Sequence, residues 1–154
     1  MKDSCKQAED FLNAIFNNTG LELVAKNAAV ESGCLLNIDG VDSPLLRNQG
    51  GELLEALEQI INKIRSFNLP SNERIVCDVQ DFRATREAEL RAMAQHAAKH
   101  VRSMGRPFIF NSMNANERRV IHVTLADQDD LNTESTGEGN ARQLVVSLKK
   151  PFKN

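Results

Sequence analysis

The stretch Asn114-Ala115-Asn116-Glu117-Arg118-Arg119-Val120-Ile121-His122-Val123-Thr124-Leu125 carries a helix start, an apolar face and a polar face in one short run. Asn114 is a helix-capping residue type, and Glu117 three positions on completes the capping-box pattern. Val120, Ile121, Thr124 and Leu125 recur at helical spacing and predict the inward side. Arg118 and His122 stand at i and i+4, so they lie one above the other on a different face. A forked guanidinium and an imidazole on one exposed stripe can hold a phosphate between them, and either can stack on a base. Taken alone, the same pattern also fits a solvated polar face of an amphipathic helix.

Upstream, a long helix is expected from about Phe82 through Leu90, Met93, Ala94, Ala97, Val101 and Met104, ended by Gly105 and Pro107. Phe108-Ile109-Phe110 reads as a short buried strand. Downstream of the acidic turn Asp127–Asp130, strands are expected near Asn132–Ser135 and Arg142–Leu148, separated by Gly137-Glu138-Gly139-Asn140.

The first half predicts helix, strand, strand, helix, strand. Ser4-x-x-Gln7 resembles a capping box ahead of Ala8, Phe11, Leu12 and Ile15, and Gly20 supplies a stop. Strands are expected at Leu21–Ala25 and Cys34–Asp39, the second ending in the turn signal Asp39-Gly40. Leu53, Leu54, Leu57, Ile60, Ile61 and Ile64 form an amphipathic helix just after Gly50-Gly51, broken by Asn68–Asn72. Ile75, Cys77 and Val79 alternate with polar or outward positions as a third strand. The fold class is therefore α+β: a module over residues 1–80 and a second over 81–154, joined without a floppy linker.

Charge divides along the same line. Residues 1–80 hold 7 Lys+Arg against 12 Asp+Glu, a net of −5, and residues 81–154 hold 12 against 9, a net of +3. A phosphate-binding surface is therefore expected in the second half. The 41% apolar share can build a core, which must be mainly aliphatic because Trp and Tyr are absent. No apolar run approaches the roughly 18 to 20 residues that span a bilayer, and the N-terminus lacks a signal-peptide core. A soluble, cytoplasmic protein with no membrane partner is expected. Cys5, Cys34 and Cys77 are isolated and odd in number, so neither a zinc site nor a disulfide framework is expected.

The run Met113–His122 resembles the signature of the Arg-x-x-x-His, or R-three-H, single-stranded nucleic-acid-binding domain. Thr133-x-Ser135-x-Gly137 followed by Arg142 is similar to the strand and turn after this helix in the Jag (EloR/KhpB) family of bacterial RNA-binding proteins. Asp81-Phe82-Arg83-x-x-Arg86-Glu87 and the long helix look like that family's junction between two modules. Three separated segments match in order. The resemblance implies a KH-like αββαβ domain followed by an R-three-H domain with a three-stranded sheet and two helices, and RNA as ligand. Asn48-Gln49-Gly50-Gly51 then lies where the backbone-clamping KH loop GxxG is expected, with Asn48 in place of its first Gly. Asn tolerates unusual backbone angles, while Glu52, Glu55 and Glu58 disfavour an anion nearby. The first helix already belongs to the KH-like unit, so the family's extra N-terminal module is not expected.

His96 and His100 share a zinc-compatible i, i+4 spacing, but no third ligand is evident. No nucleophile–base set and no complete phosphate loop appear, so no enzyme, metal site or cofactor is expected. The expected function is binding of single-stranded RNA or DNA. Arg118 and His122 are its central contacts, with Arg119, Arg142 and Lys149 as flanking phosphate contacts and Asn48, Gln49, Gly50 and Gly51 as a second site. The same features also fit a protein–protein scaffold whose KH-like half docks another KH-domain protein.

Overall fold

The computed structural model describes residues 2–28, 33–64 and 74–149. The expected break at Asn68–Asn72 lies outside the described residues. The chain divides into two compact units, Met1–Arg83 and Ala84–Asn154, both mixed α+β. No helix among the described residues is long and apolar enough to cross a membrane.

In the first unit, α1 (Lys2–Thr19) leads to β1 (Leu23–Ala28) and β2 (Cys34–Gly40), then α2 (Ser43–Arg47), α3 (Glu52–Lys63) and β3 (Ile75–Val79). β2 is central, antiparallel to β1 and parallel to β3. Alternation along each strand turns Leu23, Ala25, Leu36, Ile38, Ile75, Cys77 and Val79 inward, where they meet Leu12 and Phe16 of α1 and Leu54, Leu57 and Ile61 of α3. α1 begins before the expected cap: Ser4 is buried within its first turns, because Cys5 and Ala8 already pack on the core. β1 is shifted toward its C-terminal side because the Leu21 N–H closes back on the Phe16 carbonyl, leaving Leu23 as the first paired residue. The short α2, with Pro44 near its start, had no periodic signal. Leu53 and Ile60, expected on the inner face of α3, are exposed.

Both outer edges of this sheet are closed by the same device. On α1, Asn13 donates to the Ala25 carbonyl (3.0 Å) and accepts from the Ala25 N–H (2.8 Å), while Glu9, one turn earlier, accepts from the Asn27 N–H (2.8 Å). On α3, Asn62 brackets Ile75 in the same way (2.7 and 3.0 Å), and Glu58 accepts from the Cys77 N–H (3.0 Å). A Glu and an Asn four residues apart thus stand in for a missing neighbour strand on each side.

The cysteine expectation is corrected in part. Cys5 of α1 and Cys34 at the start of β2 form a disulfide, with Cα atoms 5.7 Å apart across 29 residues of sequence. Only the packing of α1 on the sheet brings them together, and spacing along the chain carries no trace of it. Cys77 is a free, buried thiol; desolvation, aided by Glu58, pushes its pKa up to about 12.

In the second unit, the sheet order is β4-β6-β5, all antiparallel, from β4 (Phe108–Ile109), β5 (Leu131–Thr136) and β6 (Gln143–Leu148). α4 (Phe82–Met104), which opens in the last residues of the first unit, and α5 (Ala115–Leu125) supply Leu90, Ala94, Ala97, Ala98, Val101, Ile121 and Leu125 to a core with Phe110, Leu131, Leu144 and Val146. The buried stripe of α4 is largely alanine, so Met93 and Met104, expected within its periodic face, remain exposed. Arg102 grips Asp130 through two 2.7 Å hydrogen bonds and holds that carboxyl below the usual carboxylate range. α5 begins as its sequence predicts. The Asn114 side chain accepts from the Glu117 N–H (2.9 Å), and the Glu117 carboxylate accepts from the Asn114 N–H (3.2 Å). Glu117, only 6% exposed, also receives Arg86 of α4 at 2.8 Å.

Replacing Arg86 with Ala leaves the buried Glu117 carboxylate without its cation, and should lower unfolding free energy by about 1–3 kcal/mol in a denaturant titration. Separately, a thiol reagent at about pH 8 should find no reactive thiol in the native protein, and Cys77 alone after unfolding without reductant.

Candidate nucleic-acid interface

α5 is held in rotation by its buried stripe Glu117, Ile121 and Leu125, residues four apart. Arg118 and His122 each follow a stripe residue by one position, roughly 100° around the helix, and so flank the buried face. Arg118 is half-buried and its Nη1 donates to the Met113 carbonyl (2.6 Å), which ties the guanidinium to the segment preceding the helix. The Met113 N–H in turn donates to the Arg142 carbonyl (3.2 Å). Arg142, exposed just before β6, is therefore brought by backbone pairing to the end of α5 that bears Arg118. His122 is exposed, and its Nδ1 is hydrogen-bonded to the hydroxyl of Thr133 on β5.

Arg119 is fully on the outside of α5 with no partner among the described residues. Lys149 lies at the other end of β6 from Arg142. It follows β6 seven residues after Arg142, a span of about 23 Å in extended chain, and stands beside Asp130 with its N–H on the Asp130 carbonyl (2.8 Å). The structure thus brings Arg118 and Arg142 to one end of α5 and sets Lys149 at the opposite end of β6 from Arg142, with Thr133, the partner of His122, paired between those ends.

The arginines of α4 are differently employed. Arg83 pairs with Glu58, Arg86 with Glu117 and Glu89, Arg91 with Glu87, and Arg102 with Asp130. Neither Arg118 nor Arg119 has a carboxylate partner among the described residues. An arginine already paired with a carboxylate has its donors occupied; an unpaired one keeps them for phosphate.

His96 and His100 both stand edge-on to Phe108, with ring centroids 6.1 and 5.4 Å away, and Phe108 in turn packs on Phe110 at 4.9 Å. The pair serves as aromatic packing over β4. No group of three His, Cys, Asp or Glu able to hold a metal occurs among the described residues.

In the first unit, Asn48, Gln49, Gly50 and Gly51 form the tight turn between α2 and α3. Gln49 (φ 52°), Gly50 (φ 68°) and Gly51 (φ 86°) are consecutively left-handed, whereas Asn48 is extended (φ −60°, ψ 149°). The unusual backbone therefore falls on Gln49 and not on Asn48, correcting the expectation from residue type. Gly51 is obligatory for a second reason: a Cβ there would stand 2.7 Å from the Phe82 ring. Of the three glutamates expected to repel an anion, Glu58 is paired with Arg83 at 2.6 Å and bonded to the Cys77 N–H.

Two roles were missed by sequence reasoning. Arg86 and Thr133 were visible within matching segments, but nothing in their spacing says that one supports Glu117 and the other touches His122.

The R-three-H domain family matches residues 88–148. Over 94% of its length the chain is 26% identical to the RNA-binding protein KhpB of Clostridium symbiosum, covering 66% of that protein. It is 29% identical to the RNA-binding protein KhpB of Lactiplantibacillus plantarum over 92% of the chain and 44% of that protein. The corresponding values for Bacillus subtilis KhpB are 28%, 74% and 56%. The chain thus spans between under half and about two thirds of the length of these curated relatives. The second unit thus matches the R-three-H domain family, and along nearly its whole length the chain is similar to RNA-binding proteins named KhpB.

Proposed function

We propose that this protein binds single-stranded RNA along the exposed flank of α5, with Arg118 and His122 as central contacts and Arg119 and Arg142 on neighbouring phosphates. The observation that carries this is the contrast in charge pairing: the arginines of α4 are spent on carboxylates, while those of α5 are not, inside a domain whose relatives are named RNA-binding proteins. RNA sequence is read mainly on unstacked single strands, where a guanidinium or imidazole can meet both a phosphate and a base face. The chemistry proposed is that of binding, through the hydrogen-bond donors and stacking planes on this flank. Lys149, beside Asp130 at the other end of β6 from Arg142, is a flanking phosphate contact in the same proposal.

The first unit is proposed as a KH-like module. Its helix–strand–strand–helix–helix–strand order places the Asn48–Gly51 turn at the N-terminus of α3, where backbone N–H groups can meet a phosphate. Cytoplasmic localisation and the absence of any catalytic role are part of the same proposal.

Titration with single-stranded RNA, single-stranded DNA and duplex at two salt concentrations tests it. Salt-sensitive binding confined to single strands is expected, and no binding to any strand would overturn the proposal. Arg118→Ala should weaken binding by on the order of 1.5–3 kcal/mol, with an unchanged circular dichroism spectrum. Arg119→Ala should weaken it less and flatten the salt dependence by about 0.7 in slope. For the turn, Gln49→Glu adds a carboxylate at an exposed position away from Phe82 and should also weaken binding. Unchanged affinity there would confine the interface to the second unit.

A further inference from the structure

We infer that the Thr133 hydroxyl is a positioning group that presents His122 to the nucleic acid as a hydrogen-bond donor at Nε2, so that this point of the interface takes an acceptor: a phosphate oxygen or a base carbonyl. The inference rests on the RNA-binding reading and adds what the histidine selects.

β5 is an edge strand, and its alternation puts Thr133 on the same side as the buried Leu131, beneath α5. From there its hydroxyl meets His122 Nδ1. A neutral imidazole has one N–H and one lone pair, and the bond made by one nitrogen decides which form the other takes. A hydroxyl can donate or accept, so its other partners decide. Among the described residues, Nδ1 is the sole hydrogen-bond partner of the Thr133 hydroxyl, which is half-buried. The inferred direction runs from the hydroxyl hydrogen to Nδ1, the one acceptor it meets among the described residues, which leaves the ring proton on Nε2. That nitrogen has no partner among the described residues, and the residue is exposed.

The hydroxyl also holds the ring when it is doubly protonated. Rotation of the hydroxyl hydrogen turns Thr133 from donor to acceptor for Nδ1–H. Nε2 remains a donor in both charge states. Thr133 is thus the group that keeps this position from accepting an exocyclic amino group of a base, since such an amino group needs a lone pair that Nε2 does not present. The hydrogen-bonding side of the selection is separate from Arg118, whose anchor is the Met113 carbonyl.

The test has two readouts. A long-range proton–nitrogen correlation spectrum of the free protein, with His122→Gln to assign the ring, reads the tautomer of the neutral imidazole. The Nε2–H form is expected in the wild type and in Thr133→Ser, with a mixture of forms in Thr133→Val, which keeps shape and loses the hydroxyl. Titration with oligouridylate and oligoadenylate then reads the consequence. Thr133→Val should lower affinity roughly two- to ten-fold, and Thr133→Ser should restore it. An equal loss on both oligomers identifies a phosphate oxygen as the acceptor, and a loss confined to oligouridylate identifies a base carbonyl. An Nδ1–H tautomer in the wild type overturns the inference, as does a Thr133→Val protein with unchanged tautomer or unchanged affinity. A wild type that binds neither oligomer overturns the RNA-binding reading itself, which separates the two failures.

Discussion

A buried carboxylate governs how α5 is oriented in the second unit. Taking Glu117 out of water costs several kcal/mol unless the charge is compensated. Three partners do so: the Arg86 guanidinium, the Asn114 N–H and the positive end of α5. Because Glu117 occupies the same stripe as Ile121 and Leu125, meeting its polar needs and burying its apolar neighbours require one and the same rotation of the helix. That rotation is what carries Arg118 and His122 to the flank. The capping box places the start of the helix, and the ion pair with α4 fixes which way it faces.

The first unit solves a different polar problem with a repeated device. A three-stranded sheet has two edges whose N–H and C=O groups would otherwise be open to pairing with another chain. Glu9 with Asn13 and Glu58 with Asn62 occupy them from flanking helices. Glu58 also pairs with Arg83, so the carboxylate that closes one edge draws in the first turn of α4. Close by, Phe82 fills the space that a side chain at Gly51 would need. The left-handed turn at Gln49–Gly51 is thus held by packing as well as by glycine's conformational freedom.

Net charge says little about this protein, and the distribution of pairing says more. The second half carries a modest excess of three positive charges, yet most of the α4 cations are locked in ion pairs that orient helices and strands. In the second unit the arginines without a carboxylate partner among the described residues are Arg106, Arg118, Arg119 and Arg142, two of them on α5. An exposed ion pair contributes little to stability, but it removes a cation from the set available to phosphate. Fewer cations are therefore free to meet a phosphate than a count of Lys and Arg suggests.

Local order was legible in the sequence wherever it rests on local rules. The α5 cap, the alternation of Ile75, Cys77 and Val79, the helix after Gly51 and the Gly105 stop all follow from contacts within a few residues. The adjacency of Arg118 and His122 on one helix face is of the same kind. What the chain alone did not determine depends on groups distant in sequence. The Cys5–Cys34 disulfide, the earlier start of α1, the left-handed backbone at Gln49 and the edge-closing Glu and Asn residues all answer to neighbours brought by packing. So do the roles of Arg86 and Thr133 beside Glu117 and His122. Spacing along a helix tells which side chains share a face, because the helix repeats. Which buried charge, hydroxyl or strand edge that face will meet is set by the tertiary structure, since each such group must find its partner wherever the core's packing leaves one in reach.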